Sequence, residues 1–258
     1  MATYNKRGYK TPKEKEDNTF TEDVKVDEKD STTAGVFNSL DQTASKTEEW
    51  VANNQKYIFG IVAVIALVTV GYLMYQKFII APKEEEATTE MFEAQQYFQK
   101  AVDGGAKSDS LFNLALKGAE GKFGFKDIAE KYSGTDAGNL ANYYAGIAYL
   151  NTGKYPEAIA SLENFQSKDM ILSTLAVGAI GDAYAQQKKS KEALEQYIKA
   201  AEMNKNDLTT PRFLLKAGQT SLELGNKADA LKYFTEIKEK YESTPEGSSI
   251  DGLLGLAQ

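Results

Sequence analysis

The chain has 258 residues, with 30 Lys and Arg against 37 Asp and Glu for a net charge of −7, and it has neither cysteine nor histidine. Disulfides, thiolate nucleophiles and thiolate metal sites are therefore excluded, as is the side chain most often used as a general base. The acidic balance excludes an electrostatic nucleic-acid surface.

Composition then divides the chain. Residues 1–56 carry 9 basic and 11 acidic side chains, with few large apolar residues before Val36. Such a segment buries too little apolar surface to offset its ordering entropy, so 1–35 reads as a disordered polar tail. Residues 36–56 read as a juxtamembrane segment. Within it, 36–51 fits an amphipathic helix with Val36, Phe37, Leu40, Ala44, Thr47 and Val51 on one side. A helical lead-in without a partner fits those residues equally well.

Tyr57 to Gln76 is a run of twenty residues without a formal charge. At about 1.5 Å per residue it reaches roughly 30 Å, the thickness of a bilayer core. Trp50, Tyr57 and Phe59 gather at one end and Tyr72, Tyr75 and Phe78 at the other, as in the aromatic belts of membrane spans. A single transmembrane helix over 57–80 follows, with the lipid bilayer as its first partner. The fifty-six residues before it exclude a cleaved signal peptide. Within the span, Gly60, Ala63 and Ala66 place small residues at three-residue steps, a pattern that lets a second membrane helix approach closely. Flanking lysines are balanced, Lys46 and Lys56 before the span and Lys77 and Lys83 after it, so charge asymmetry leaves orientation open.

Residues 81–138 read as a linker and a degenerate helical repeat. Met91, Ala94, Gln95, Phe98 and Ala101 form one helical stripe, and Phe123, Phe125, Ile128, Ala129 and Tyr132 another. On this reading Ala106–Glu120 is an insertion between them. Glu84-Glu85-Glu86, just after Pro82, reads as a solvated helix start favoured by the helix dipole.

From 139 to 258 a pattern recurs. Gly146, Tyr149, Ala158 and Leu162 are matched by Gly181, Tyr184, Ala193 and Tyr197, then by Gly218, Ser221, Ala230 and Phe234. The offsets from each glycine are +3, +12 and +16, and the sets lie 35 and 37 residues apart. A period in the mid-thirties with small residues at these offsets marks a helix–turn–helix repeat of the tetratricopeptide kind. Each helical pair buries its apolar face only against its neighbours. The fold expected is thus all-α: one N-terminal transmembrane helix, then a tetratricopeptide-like α-solenoid of three repeats. Gly153 and Gly225 suit the left-handed position that ends a helix, whereas Lys188 stands at the matching place in the second repeat. Its turn is accordingly expected to close in another way. Ile250, Leu253, Leu254 and Leu256 begin a short capping helix.

No residue pattern supports catalysis. Gly118-x-x-Gly121-Lys122 lacks the spacing and the hydroxyl residue of a phosphate loop. The expectation is a chain that is not an enzyme, with no cofactor, metal or small-molecule substrate. In a right-handed stack the first helix of each pair lines the concave face. The groove candidates are Leu140, Tyr143, Ile147 and Asn151, then Leu175, Gly178, Asp182 and Gln186, then Arg212, Leu215, Gln219 and Leu222. Mostly apolar and amide-bearing, this set suits an extended or apolar segment of a partner protein. It lacks the several basic residues that would hold a terminal carboxylate.

A polar tail, the span at Tyr57–Gln76, the lead-out Met91-Phe92-x-Ala94-Gln95-Gln96-Tyr97-Phe98 and the run from Ala137 to Gly146 resemble the membrane-anchored tetratricopeptide proteins of the Bacteroidetes. Their layout is similar to that of the YfgM family, ancillary subunits of the bacterial Sec translocon. That resemblance implies a bacterial inner-membrane protein with a cytoplasmic N-terminus and a periplasmic repeat domain. It implies protein partners, the SecYEG channel and a periplasmic prolyl-isomerase-type chaperone, and a role in handling exported proteins. Three residues depart from the repeat pattern: Asn142 and Val177 stand where it favours Trp, and Phe165 where it favours Ala. A general cell-envelope scaffold organising a secretion or outer-membrane assembly complex, and a cytosol-facing regulator of inverted topology, are the other functions that fit.

Overall fold

A computed structural model describes residues 32–104 and 108–258, with side chains from Thr47 onward. The expected polar tail falls almost wholly outside these residues. The chain forms two compact units, Met1–Val68 and Thr69–Gln258.

In the first unit the described residues belong to helix α1 (Thr32–Tyr75). Its aromatic and aliphatic side chains from Tyr57 to Val68 are exposed, Tyr57 at 74% and Leu67 at 73%. The uninterrupted helical stretch Thr47–Val102 is long and apolar enough to cross a membrane by length and composition. None of its most apolar 18-residue window is buried, which sets it apart from the core helix of a globular domain.

The second unit begins with the last turns of α1. A π-turn at Gln76–Ile80 follows, then α2 (Ala81–Val102). The Ala81 N–H reaches back five residues to the Gln76 carbonyl. Pro82 explains the wider turn. It has no N–H, and its ring would collide with the carbonyl four residues earlier in a regular α-helix.

Helix α3 (Ser108–Lys117) packs on α2, and α4 (Phe125–Lys131) packs on the next long helix. The segment 106–120, expected as an insertion, therefore contains a packing helix. Phe112, Ala115 and Leu116 supply its buried face. Phe98 on α2 lies edge-on to Phe112 at 5.5 Å and to Tyr144 at 5.1 Å, and Phe125 stacks on Tyr144 at 5.0 Å. The α2–α3 pair thus occupies the place of a preceding repeat.

Three helical pairs follow: α5 (Asp136–Asn151) with α6 (Tyr155–Asn164), α7 (Met170–Gln186) with α8 (Ser190–Met203), and α9 (Thr210–Glu223) with α10 (Lys227–Lys240). Each second helix also packs on the first helix of the next pair. Thr135 caps α5, Asp169 caps α7 with bonds of 2.8 and 2.9 Å to the Ile171 and Leu172 amides, and Asn226 caps α10. Two short helices, α11 (Pro245–Ser248) and α12 (Asp251–Ala257), end the chain. Ile250, Leu253, Leu254 and Ala257 join the core of the last pair.

The +16 residue explains the recurring glycine. A Cβ on Gly146 would lie 2.5 Å from Leu162, and one on Gly181 would lie 2.6 Å from Tyr197. On Gly218 it would meet the Phe234 ring closer still. The large side chain of each second helix therefore sits where the first helix has none. Ala158, Ala193 and Ala230 are all 0% exposed, so each pair meets at small residues on both sides.

All three inter-helix turns close alike. Lys154, Lys189 and Asn226 each donate a backbone N–H to the carbonyl five residues back, at 2.9, 3.0 and 2.8 Å. Gly153 and Gly225 hold left-handed backbone at φ +73° and +76°, and Lys188 holds it at φ 60°. Lys188 thus closes its turn as the glycines do, against the sequence expectation, because the hydrogen-bonded frame outweighs the steric cost of its Cβ. That cost is about 1 kcal/mol, so Lys188→Gly should stabilise the domain by roughly 0.5–1 kcal/mol in urea unfolding.

The glycine contacts predict non-additivity. Gly218→Ala should cost about 1–3 kcal/mol by overpacking and Phe234→Ala about 3–5 kcal/mol by loss of burial. In the double variant the inserted methyl no longer meets a ring. The combined loss, read from urea unfolding, should fall short of the sum by at least about 1 kcal/mol.

Candidate functional site

The residues expected in a concave groove separate by chemistry. Leu140, Tyr143 and Ile147 are partly buried against the cluster of Leu162, Phe165, Ala176 and Ile180, at the seam between the first and second pairs. The Tyr143 ring lies 5.3 Å from Phe165, and burial pushes its hydroxyl pKa up. Leu175, Leu215 and Leu222 pack against the last core cluster. Gly178 is buried beneath the Phe213 ring of the next pair, so it offers no groove surface. Its lack of a side chain admits Phe213 at the seam, a role set by a contact 35 residues away that no local pattern announces.

Asp182 is likewise committed to packing. It accepts a hydrogen bond from the Tyr197 hydroxyl at 2.7 Å and pairs with Lys216 of the following helix. Burial, then the Asp182 charge, raises the Tyr197 pKa. One carboxylate therefore joins both helices of the second pair to the first helix of the third. Asn151, Gln186, Arg212 and Gln219 remain exposed. Glu223 belongs with them: it stands five residues after Gly218, as Asn151 and Gln186 follow their glycines, and it is exposed. Leu222, the residue expected from the sequence, stands one position earlier and is half-buried against the last core cluster. The candidate face is hence a polar strip of amides and single charges, bordered by half-buried Tyr143, Ile147 and Leu215.

A second constellation lies at the foot of α2. The Asp136 and Ala137 N–H groups, the orphan donors at the start of α5, donate to the Glu84 carboxylate at 2.6 and 2.9 Å. Glu86 accepts from the Tyr132 hydroxyl at 2.8 Å and from Lys131 Nζ at 3.1 Å. The acidic run, expected as a solvated helix start, instead ties α2 to α4 and α5. Tyr132 is 1% exposed, and its buried hydroxyl finds its acceptor in Glu86. Nothing local signalled these bonds, which join residues about fifty positions apart.

Gly60, Ala63 and Ala66 are all exposed on α1, and among the described residues no atom beyond its own stretch of helix lies within 4 Å of where a Gly60 Cβ would stand.

The tetratricopeptide-repeat family pattern matches residues 143–209 and 178–248. The chain therefore carries tetratricopeptide repeats over its last three helical pairs, in an all-helical fold of the kind that mediates protein–protein contact. Among curated proteins none matches the chain.

The Glu86 bonds predict an acid response. The Tyr132 hydroxyl, then Lys131, lowers the Glu86 pKa from its ordinary value of 4.5. A lowered folded-state pKa contributes stability that is complete above pH 4.5 and lost as pH falls through the folded value. Wild type should therefore exceed Glu86→Gln in urea midpoint near neutrality, and the gap should close as the pH is taken below 4.5 and through the lowered folded-state value. A gap independent of pH would mean that the carboxylate charge contributes nothing.

Proposed function

We propose that this chain is a non-enzymatic docking module held at the bacterial inner membrane by α1. Its N-terminus is cytoplasmic and its repeats are periplasmic. It serves there as an ancillary subunit of the Sec translocon, beside the SecYEG channel and a prolyl-isomerase-type chaperone, and assists exported proteins. The observation that carries the docking reading is the joining of two features: an apolar helix with no buried residue in its most apolar window, and a run of tetratricopeptide repeats. The translocon assignment rests on the resemblance in layout, from the polar tail through the span to the repeats.

The polar strip of Asn151, Gln186, Arg212, Gln219 and Glu223 is the proposed peptide-facing surface. Amide side chains there can pair with the backbone of an extended segment, and Tyr143, Ile147 and Leu215 can take its apolar side chains. Gly60, Ala63 and Ala66 supply the surface for a membrane-helix partner.

Purification of the full chain in a gentle detergent should recover the channel subunits. Replacing Gln186 and Gln219 with Ala should reduce recovery of periplasmic partners while leaving the unfolding free energy within about 0.5 kcal/mol of wild type. Absence of the channel subunits rules out the translocon assignment and leaves the envelope-scaffold reading.

A further inference from the structure

Three exposed apolar side chains sit together at one edge of the repeat domain. Met170, at the start of α7, is 65% exposed; Met203, at the end of α8, is 40% exposed; and Leu208, in the loop before α9, is 67% exposed. They are held in place. The Asn204 side chain donates to the Met170 carbonyl at 3.3 Å, and the Asn206 side chain donates to the Asn204 carbonyl at 2.7 Å. Asn206 Oδ1 in turn accepts the Leu208 amide at 2.9 Å. A polar scaffold thus displays thioether and isobutyl groups outward, where burial would be the ordinary fate of such side chains.

A chain of direct bonds runs from this tip to the foot of α2. The Asn139 side chain of α5 both donates to and accepts from the Gln166 backbone, at 2.5 and 2.9 Å, so the loop before α7 is fastened to the start of α5. The start of α5 is capped by Glu84. Glu84 lies eight residues after Gln76, the end of the uncharged apolar run, which is about 12 Å of helix. The tip therefore belongs to the same edge of the repeat domain as the start of α2. Lys168 and Lys205 stand there against Asp169, Glu202 and Asp207, and Lys205 pairs with Glu236 at 3.7 Å, so attraction to the edge rests on its apolar side chains and not on charge.

We propose that this edge docks on the bilayer, with Met170, Met203 and Leu208 entering the lipid headgroup–acyl boundary. The inference rests on the membrane-span reading above and adds to it that the repeats lie against the lipid. Shallow insertion by a few unbranched or γ-branched side chains suits an interface already within reach of a tether. The tether supplies the encounter, so each side chain adds only its own burial.

Site-directed tryptophan fluorescence of the full chain in phosphatidylcholine vesicles tests this, with brominated lipid as the quencher. Trp50→Phe removes the single native tryptophan. Probes then go in one at a time: Met170→Trp and Leu208→Trp at the tip, Lys227→Trp at the far turns, and Leu67→Trp in the span. Docking predicts that both tip probes shift to shorter wavelength and lose emission to the brominated lipid, whereas the Lys227→Trp probe does neither. Unquenched tip probes beside a quenched span probe overturn the proposal and leave the anchor intact. An unquenched span probe overturns anchor and docking together. Tip probes that shift without quenching would mean that protein, such as a second copy of the chain, covers the edge. Equal quenching of the Lys227→Trp probe would mean lipid contact without this orientation. Either result contradicts the proposal.

Discussion

The contact between a side-chain-free position on one helix and a large side chain on its partner is what the repeat domain depends on. At Gly146, Gly181 and Gly218 the helix surface has a notch, and Leu162, Tyr197 and Phe234 fill it. Filling at that depth brings the two backbones close enough for Ala158, Ala193 and Ala230 to be fully buried. The same device reappears between repeats, where Phe213 fills the notch at Gly178. Packing of this kind is unforgiving, because protein interiors have no spare volume in which a methyl group can be absorbed. It also accounts for the register of the array, since each large side chain has one place to go.

Once the stack is set, its exposed chemistry follows. Most apolar residues along the first helices are drawn into the seams, and the strip left between them is amide and charge: Asn151, Gln186, Gln219, Arg212 and Glu223. Asp182 shows the other outcome for a polar group, in which a half-exposed carboxylate is held by Tyr197 and Lys216 and so fastens two repeats. The proposed docking surface is thus made of amides and single charges, which can pair with the backbone and polar side chains of a partner. Glu84 and Glu86 extend the same logic to the foot of α2, where carboxylates satisfy the open end of α5 and the buried hydroxyl of Tyr132.

The helical pairs were legible in the sequence because their signals are local. A glycine and an alanine twelve residues apart, with a large residue at +16, specify a hairpin whatever surrounds them. The apolar run was legible for the same reason, since twenty uncharged residues need no context. What the sequence concealed lay in contacts between distant elements. Helix α3 has too short a stripe to announce itself, and Phe112 and Leu116 gain meaning only opposite Phe98. Glu84 looks like a solvated acid until Asp136 is placed beside it. Gly178 resembles a groove position until Phe213 arrives. Lys188 carries a side chain where glycine is the easy choice, yet the turn's hydrogen bonds impose the left-handed backbone all the same. Leu222 differs from Glu223 by one register position, which on a helix rotates a side chain by about 100°, here from an exposed place to one half-buried against the core.

A packed repeat stack follows an apolar helix whose most apolar window is unburied and which is proposed to span the bilayer. Amide hydrogen exchange of the full chain in lipid nanodiscs, read by mass spectrometry, tests both parts in one measurement. Peptides from α5 to α10 should exchange slowly and lose protection together as denaturant is added. Residues 57–76 should stay protected while lipid is present and exchange far faster once it is stripped away. Exchange of 57–76 in lipid at the rate of an exposed loop, or loss of protection pair by pair across α5 to α10, would contradict this reading.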